Sequence, residues 1–395
     1  MLQRSICVSM LGFMIFILGG CWDYRPLETL SLAMGMGIDK DKDGYVITIQ
    51  FVNPEEVAGK NPTERAESPI YQGRGPTIEE AINRISLNTP NYMYFANMQV
   101  VIIGEGLAKI GLKETLDYLY RFHDMRPDFT LVIAKHKKAA DLFQVTSSLS
   151  KIPAEKIATI VRKMNQGKTL TIGSQLDFFN IMTHMISPYE GMVIGGFQIR
   201  GNINRGDTVH NLETLIPQAR IYPTGLAVFK NDALQGWLTI PESIGYNYIM
   251  GTAQSVPESI MCTNKKKISA RILDTKSNTK VYKKGHTIQA HIQLKSNLYI
   301  TGVACEKRLS PKNLSQLEKD FAQQLEIKMR NTMNKAQKTF RLDIFGIGDT
   351  FSRSYPREWK KAEKKWKDIF PNIKVTYDVQ VKTVHITNNI YHKNK

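Results

Sequence analysis

The 395-residue chain is 42% hydrophobic and 23% charged, the balance of a globular protein and not of a disordered one. Its formal net charge is +17, which in a cytosolic protein would invite a nucleic-acid partner. Four cysteines are too few for a disulfide-stapled scaffold.

Arg4 precedes a nearly unbroken apolar run over residues 6–18. That run is short of the ~20 residues a helix needs to cross a bilayer, and its N-terminal position predicts a secretory leader. The leader ends in Leu18-Gly19-Gly20-Cys21, which resembles the lipobox of bacterial lipoproteins. There a cysteine sulfur is alkylated by diacylglycerol, and cleavage after the preceding glycine frees an amine that takes a further, palmitate-type acyl chain. Each buried methylene adds ~0.8 kcal/mol and one chain binds only marginally, so several chains on one residue make a lasting anchor. An ordinary leader followed by a disulfide at Cys21 is the alternative. Removing the first 20 of the 395 residues leaves 375, enough for two or three domains. An exported, anchored chain meets anionic lipid head groups and no nucleic acid. Cys262 and Cys305 remain, and the sequence leaves their pairing open.

Residues 30–38 and 45–52 alternate as strands around Asp43-Gly44, a hairpin signal. Asp39, Asp41 and Asp43 also imitate half of an EF-hand loop, but Gln50 stands where calcium needs a bidentate carboxylate. The polar stretch 60–76 reads as a loop, and Thr77 with Glu80 as a capping box opening a helix with Ile78, Ala81, Ile82 and Ile85 on one face. A strand at 98–103, a helix around Leu112, Leu116 and Leu119, and a strand at 129–134 follow. Two helices come next, one burying Ile157, Ile160, Val161 and Met164, the other Leu176, Phe179, Met182 and Ile186. Residues 200–223 carry little periodicity, which places a linker at 201–221. Beyond it, a hairpin turns at Lys230-Asn231-Asp232, and strands cover 268–273, 287–294 and 298–304. A seven-turn helix opened by Ser310-Pro311 carries the row Leu314, Leu317, Phe321, Leu325, Met329, Met333 and Ala336. Trp359, Ala362, Trp366 and Phe370 stripe a basic helix, and residues 373–381 alternate as a last strand.

The order of elements predicts an α+β, or mixed α/β, chain of several domains, with mixed sheets and packed amphipathic helices. Its parts are a leader at 1–20, an α/β domain at 21–200, the linker at 201–221, and an α+β region at 222–395 that divides further if the strands and helices separate. Chemistry is harder to find. Gly167-Lys168-Thr169 lacks the earlier glycine of a phosphate loop and reads as a helix C-cap, and Gly346-Ile347-Gly348-Asp349 reads as a turn. His286 and His291 have no third ligand near them, and neither H-E-x-x-H nor G-x-S-x-G occurs. The reading is therefore no catalytic residue, no metal, no cofactor and no enzyme. The Trp359 stripe reads as core, while Lys360, Lys361, Lys364, Lys365 and Lys367 form either a solvated face or a contact with lipid or partner.

Several blocks, in order and spacing, resemble one family. They are Gly20-Cys21-Trp22-Asp23-x-Arg25-x-x-Glu28, Gly35-Met36-Gly37-Ile38-Asp39 and the segment from Tyr94-Phe95 through Gln99-Val100 to Gly104, with Arg126-Pro127 and Phe129 after it. In the second half come Gly225-x-Ala227-Val228-Phe229-Lys230 with Gly236-Trp237-Leu238, then Asp343-Ile344-Phe345-Gly346-x-Gly348, Tyr355-Pro356-x-x-Trp359 and Trp366-x-x-x-Phe370-Pro371. Together they resemble the Ger(x)C spore germination lipoproteins, the C subunits of nutrient germinant receptors. The resemblance implies a three-domain mixed α/β fold and a non-catalytic subunit. It would be lipid-anchored on the outer face of the inner spore membrane, a cell membrane, beside membrane subunits A and B. It carries over only Cys21 as the lipidated residue. Trp22, Asp23 and Arg25, close to the bilayer, are candidate partner contacts. Competing readings are a solute-binding lipoprotein of a transporter and a wall-acting enzyme. The sequence names no nutrient and leaves open whether this chain binds one.

Overall fold

The computed structural model describes residues 26, 29–53, 66–170, 178–187, 189–206, 208, 211, 214–262, 266–285, 287–304 and 311–386. β1 (Leu30–Asp41) and β2 (Gly44–Val52) form the hairpin that Asp43-Gly44 signals, with Asp41 opposite Gly44. β3 (Ile70–Gly75) then pairs with β2, inside the stretch that reads as a loop. The glycines that suggested a loop are required by packing: a Cβ on Gly73 would stand 2.0 Å from the carbonyl oxygen of Ala81 in the helix lying over it. That helix, α1 (Ile78–Ser86), starts where Thr77 accepts a hydrogen bond from the Glu80 N–H at 3.2 Å, and buries the four expected apolar residues.

The chain continues through β4 (Tyr92–Tyr94), β5 (Val100–Gly104), α2 (Glu105–Ile110), α3 (Lys113–Arg121), β6 (Thr130–Ala134), α4 (Ala139–Phe143), α5 (Pro153–Asn165), α6 (Phe178–Ile186) and β7 (Gly191–Gly201). β8 (Ala219–Lys230) and β9 (Ala233–Trp237) complete the sheet, whose order is β3-β2-β1-β5-β6-β7-β8-β9 with β4 beside β1. β1, β5, β6 and β7 are parallel, so both their faces are covered and their sequences run continuously apolar. Val101, Ile103 and Ile133 pack against α1, α2, α3 and α6, while the alternating Val100, Ile102 and Val132 pack against α4 and α5.

Two buried polar side chains satisfy the ends of α4 and α5. Asp39 accepts from the N–H groups of Ala139 at 2.9 Å and Ala140 at 3.2 Å, and Gln50 accepts from Ala154 N–H at 2.9 Å. Burial pushes the Asp39 carboxyl up while those two N–H bonds pull it down, and burial prevails. A Cβ on Gly104 would stand 1.9 Å from the Asp39 carboxylate, so the glycine that ends the Tyr94–Gly104 block protects this cap. The aspartates and Gln50 of the EF-hand half-motif thus sit in a strand hairpin, with Asp39 and Gln50 turned to helix ends.

Two expectations need correcting here. α6 buries Phe178 and Ile181, whereas Phe179 is 53% exposed, so its apolar face is rotated from the one the sequence suggests. The polar stretch at 201–221 is not a link between bodies, because β7 and β8 pair across it with Gly201 opposite Ala219. Its Asn211 is fully buried and bonds the backbone of Thr146 and Ala219, so the loop is fastened to the sheet.

The second body begins with α7 (Ile240–Met250), followed by β10 (Val256–Met261), β11 (Lys267–Lys284) and β12 (Thr287–Val303). α8 (Pro311–Asn334) runs on as a π-helical segment, Lys335–Phe340. α9 (Ile347–Ser354), α10 (Pro356–Ala362), α11 (Trp366–Ile369) and β13 (Lys374–Ile386) close the fold. The sheet order is β10-β11-β12-β13, with only the β12–β13 pair parallel. α8 lays Leu317, Phe321, Leu325, Met329 and Met333 into the core, each such side chain contributing roughly 1.5–3 kcal/mol. α7 is buried nearly all round, from Ser243 to Ile249, and its core includes Val193, Leu226 and Val228 of the first sheet. One continuous core therefore joins the two bodies.

Candidate functional site

The residues that the sequence singles out most strongly, Gly20, Cys21, Trp22, Asp23 and Arg25, lie outside the described residues. Cys262 is disulfide-bonded, while Cys305 lies outside the described residues.

A buried, multiply bonded carboxylate lies where the two bodies meet. Asp343 is 1% exposed. Its carboxylate accepts from the N–H groups of Phe345 at 3.1 Å, Ile347 at 3.2 Å and Gly348 at 2.7 Å, and from Trp366 Nε1 at 3.1 Å. The Ile347 and Gly348 donors are orphan N–H groups in the first turn of α9, where a carboxylate is favoured, and the Phe345 N–H lies in the turn before it. Gly346, at φ +70, makes the turn that aims them. The Asp343 carbonyl accepts from Gly191 N–H at 2.7 Å, and Glu190 and Asp343 form a parallel bridge. One residue thus caps a helix, holds an indole and stitches β7 to the second body. Burial pushes the Asp343 carboxyl up to about 6, with nearby Glu190 adding to the rise and the three N–H bonds opposing it.

Rings finish the junction. Trp359 stands edge-on between Tyr189 at 5.1 Å and Trp366 at 5.1 Å, and Phe351 stacks on Trp366 at 6.0 Å. Trp366 and Phe370 are buried, which bears out the core reading of the stripe. Asp343 to Gly348, Tyr355, Trp359, Trp366 and Phe370, separate blocks in sequence, are one cluster in space. The sequence singles out these residues, Asp343 included, but not the buried role of the Asp343 carboxylate, nor Glu190.

Beside this cluster opens a cleft of about 400 Å³, lined by Glu190, Lys230, Arg341, Lys364, Trp366 and Lys367, among others. Arg341 adopts φ 51 and reaches Asp368 at 3.8 Å, and His184 Nδ1 lies 3.2 Å from Glu190. Against the three carboxylates Glu190, Asp343 and Glu363, the four cations Lys230, Arg341, Lys364 and Lys367 leave the lining net positive. A second, more open depression lies past the C-terminal ends of β5 and β6. There Glu105 takes Lys109 at 2.9 Å, His136 Nδ1 at 3.2 Å and the His136 N–H. Burial raises the Glu105 carboxyl, but these partners outweigh it and hold it low, so this carboxylate fastens a loop. Among the described residues no group of three or more His, Cys, Asp or Glu could hold a metal ion, and no helix is long and apolar enough to cross a membrane.

Comparison with known proteins matches the chain to two family models in order. Residues 23–195 match the spore germination protein N-terminal domain, and residues 224–387 match the spore germination B3/GerAC-like C-terminal domain. Spore germination protein KC of Bacillus subtilis is 30% identical, over 97% of this chain and 95% of that protein. Spore germination protein B3 of the same organism is 25% identical over 95% of this chain and 96% of its own length. The crystal structure of the GerBC protein superposes with a TM-score of 0.57, covering 92% of this chain and 100% of that one at 21% identity, a likeness of fold.

Proposed function

This chain belongs to the Ger(x)C family of spore germination proteins, and on that footing we propose that it is the lipid-anchored C subunit of a nutrient germinant receptor. The observation that carries the reading is the likeness to spore germination protein KC along 97% of the chain, with both family domains in order. Cleavage after Gly20 and acylation of Cys21 then hold the body on the outer face of the inner spore membrane. There it acts by contact with membrane subunits A and B and performs no chemical step. Trp22, Asp23 and Arg25, the first residues beyond the lipid, are proposed partner contacts. Spores lacking the chain are expected to germinate slowly, or not at all, with a subset of nutrients. Normal germination with every nutrient tested would overturn the proposal.

A solute-binding lipoprotein is the second reading, and the cleft at the junction favours it. It requires a thermal shift of the purified protein with a small acidic solute, which a subunit acting only by protein contact does not give.

A further inference from the structure

The five lysines left open by the sequence have a definite place in the fold. Lys360 and Lys361 lie on α10, Lys364 and Lys365 on the turn after it, and Lys367 on α11, and all five are exposed, as is Arg357. Of the nearby carboxylates, Glu358 pairs with Lys283 at 3.4 Å and Asp368 with Arg341 at 3.8 Å, and Glu363 is outnumbered by the six cations. Beneath the lysines, Trp359, Trp366 and Phe370 fix the backbone, so the cations stand on a rigid platform. Lys230 lies across the neighbouring cleft from Lys364 and Lys367.

The platform lies at one particular end of the molecule. β1, β5, β6 and β7 are parallel, with Gly35 level with Val100, Val100 with Thr130, and Ile133 with Gly196. At ~3.3 Å per residue and ~4.8 Å between strands, that register puts Leu30 and Gly191 on the order of 20 Å apart at the same end of the sheet. Gly191 follows directly on Tyr189 and Glu190, which touch the platform through Trp359 and Asp343. Leu30 lies nine positions after Cys21, a reach of at most about 30 Å. Exposed Lys42, in the β1–β2 turn, lies at the opposite end of β1.

We propose that the Arg357–Lys367 platform docks on the anionic surface of the bilayer that holds the lipid, fixing the orientation of the body above the membrane. This inference rests on the anchor at Cys21 proposed above. Charge complementarity selects the occupant: clustered basic groups near a tether concentrate at acidic head groups, and the attraction falls off within a Debye length. A tether alone leaves the body free to swivel, whereas the second contact presents the rest of its surface in one direction.

The test uses the full-length lipidated protein, reconstituted into vesicles of phosphatidylcholine with or without phosphatidylglycerol. After flotation, lysines are acylated with a water-soluble reagent and quantified by mass spectrometry. Labelling of Lys360, Lys364 and Lys365 is expected to fall at least about threefold on the phosphatidylglycerol vesicles. The difference should vanish in 1 M salt, where the Debye length is about 3 Å, and Lys42 should be labelled equally throughout. If the protein floats but these lysines are labelled alike on both vesicles, the platform does not bind lipid and the anchor stands. Protection that appears only when an acidic protein partner is added overturns the inference in the same way. If the protein fails to float on either vesicle, the anchor is wrong and the inference falls with it.

Discussion

Replacing Asp343 with alanine is expected to lower the unfolding free energy by about 3–5 kcal/mol, because four buried N–H donors lose their acceptor together and each costs about 1–3 kcal/mol unsatisfied, less than additively. The donors are those of Phe345, Ile347, Gly348 and Trp366, and among the described residues no other carboxylate bonds to them. Urea denaturation of the purified chain measures the loss, and a change below about 1 kcal/mol would show that water replaces the carboxylate. Asp343→Asn keeps one acceptor and costs less. It also isolates a pH effect whose sign follows from burial. The folded carboxyl titrates near about 6, above the ordinary 3.8, so the fold favours its protonated form. That contribution is fully present below about pH 4 and is lost as pH rises through about 6, a change on the order of 3 kcal/mol. The stability of the native chain, taken relative to Asp343→Asn, should therefore decline across that interval. A flat difference would mean the carboxyl is ionised throughout.

The second large effect concerns location. With Cys21→Ser behind a leader cut by the ordinary signal peptidase, the chain is expected in the soluble fraction after an alkaline wash, and it should fail to restore germination in a deletion strain. The physical reason is the missing lipid. One acyl chain gives an association constant of only about 10⁴ M⁻¹, and a lasting anchor needs a second chain or a second signal. The basic platform alone is such a weak second signal, and salt removes it. Full retention on the membrane after the wash would show that protein contacts, and not Cys21, hold the chain in place.

What the sequence disclosed, and what it hid, follows from where each signal is written. The β1–β2 and β8–β9 hairpins, the Thr77 cap and the α8 stripe are local patterns of period two or 3.6, and the fold bears them out. α7 escaped because it is buried on every side and carries no amphipathic contrast, although Thr239 and Glu242 form a capping box at its start. β3 was hidden by glycines that read as loop but serve close helix packing. The polar stretch before β8 looked like a linker because Asn211, which fastens it to the sheet, is itself polar. At the junction the motif residues were visible as blocks, Asp343 among them, but nothing local in the sequence marks its carboxylate as buried. Its surroundings include Glu190 and Trp366, which are distant from it in the chain and leave no local pattern. The lysine platform was legible as composition, and its position relative to Leu30 only as register.

Intact mass measurement of the protein extracted from native spores tests the central claim most directly. The account predicts a chain that begins at residue 21 and is heavier than its polypeptide by a diacylglyceryl group and one amide-linked acyl chain, both on that cysteine. A chain that still carries residues 1–20 and an unmodified thiol at position 21 would contradict it.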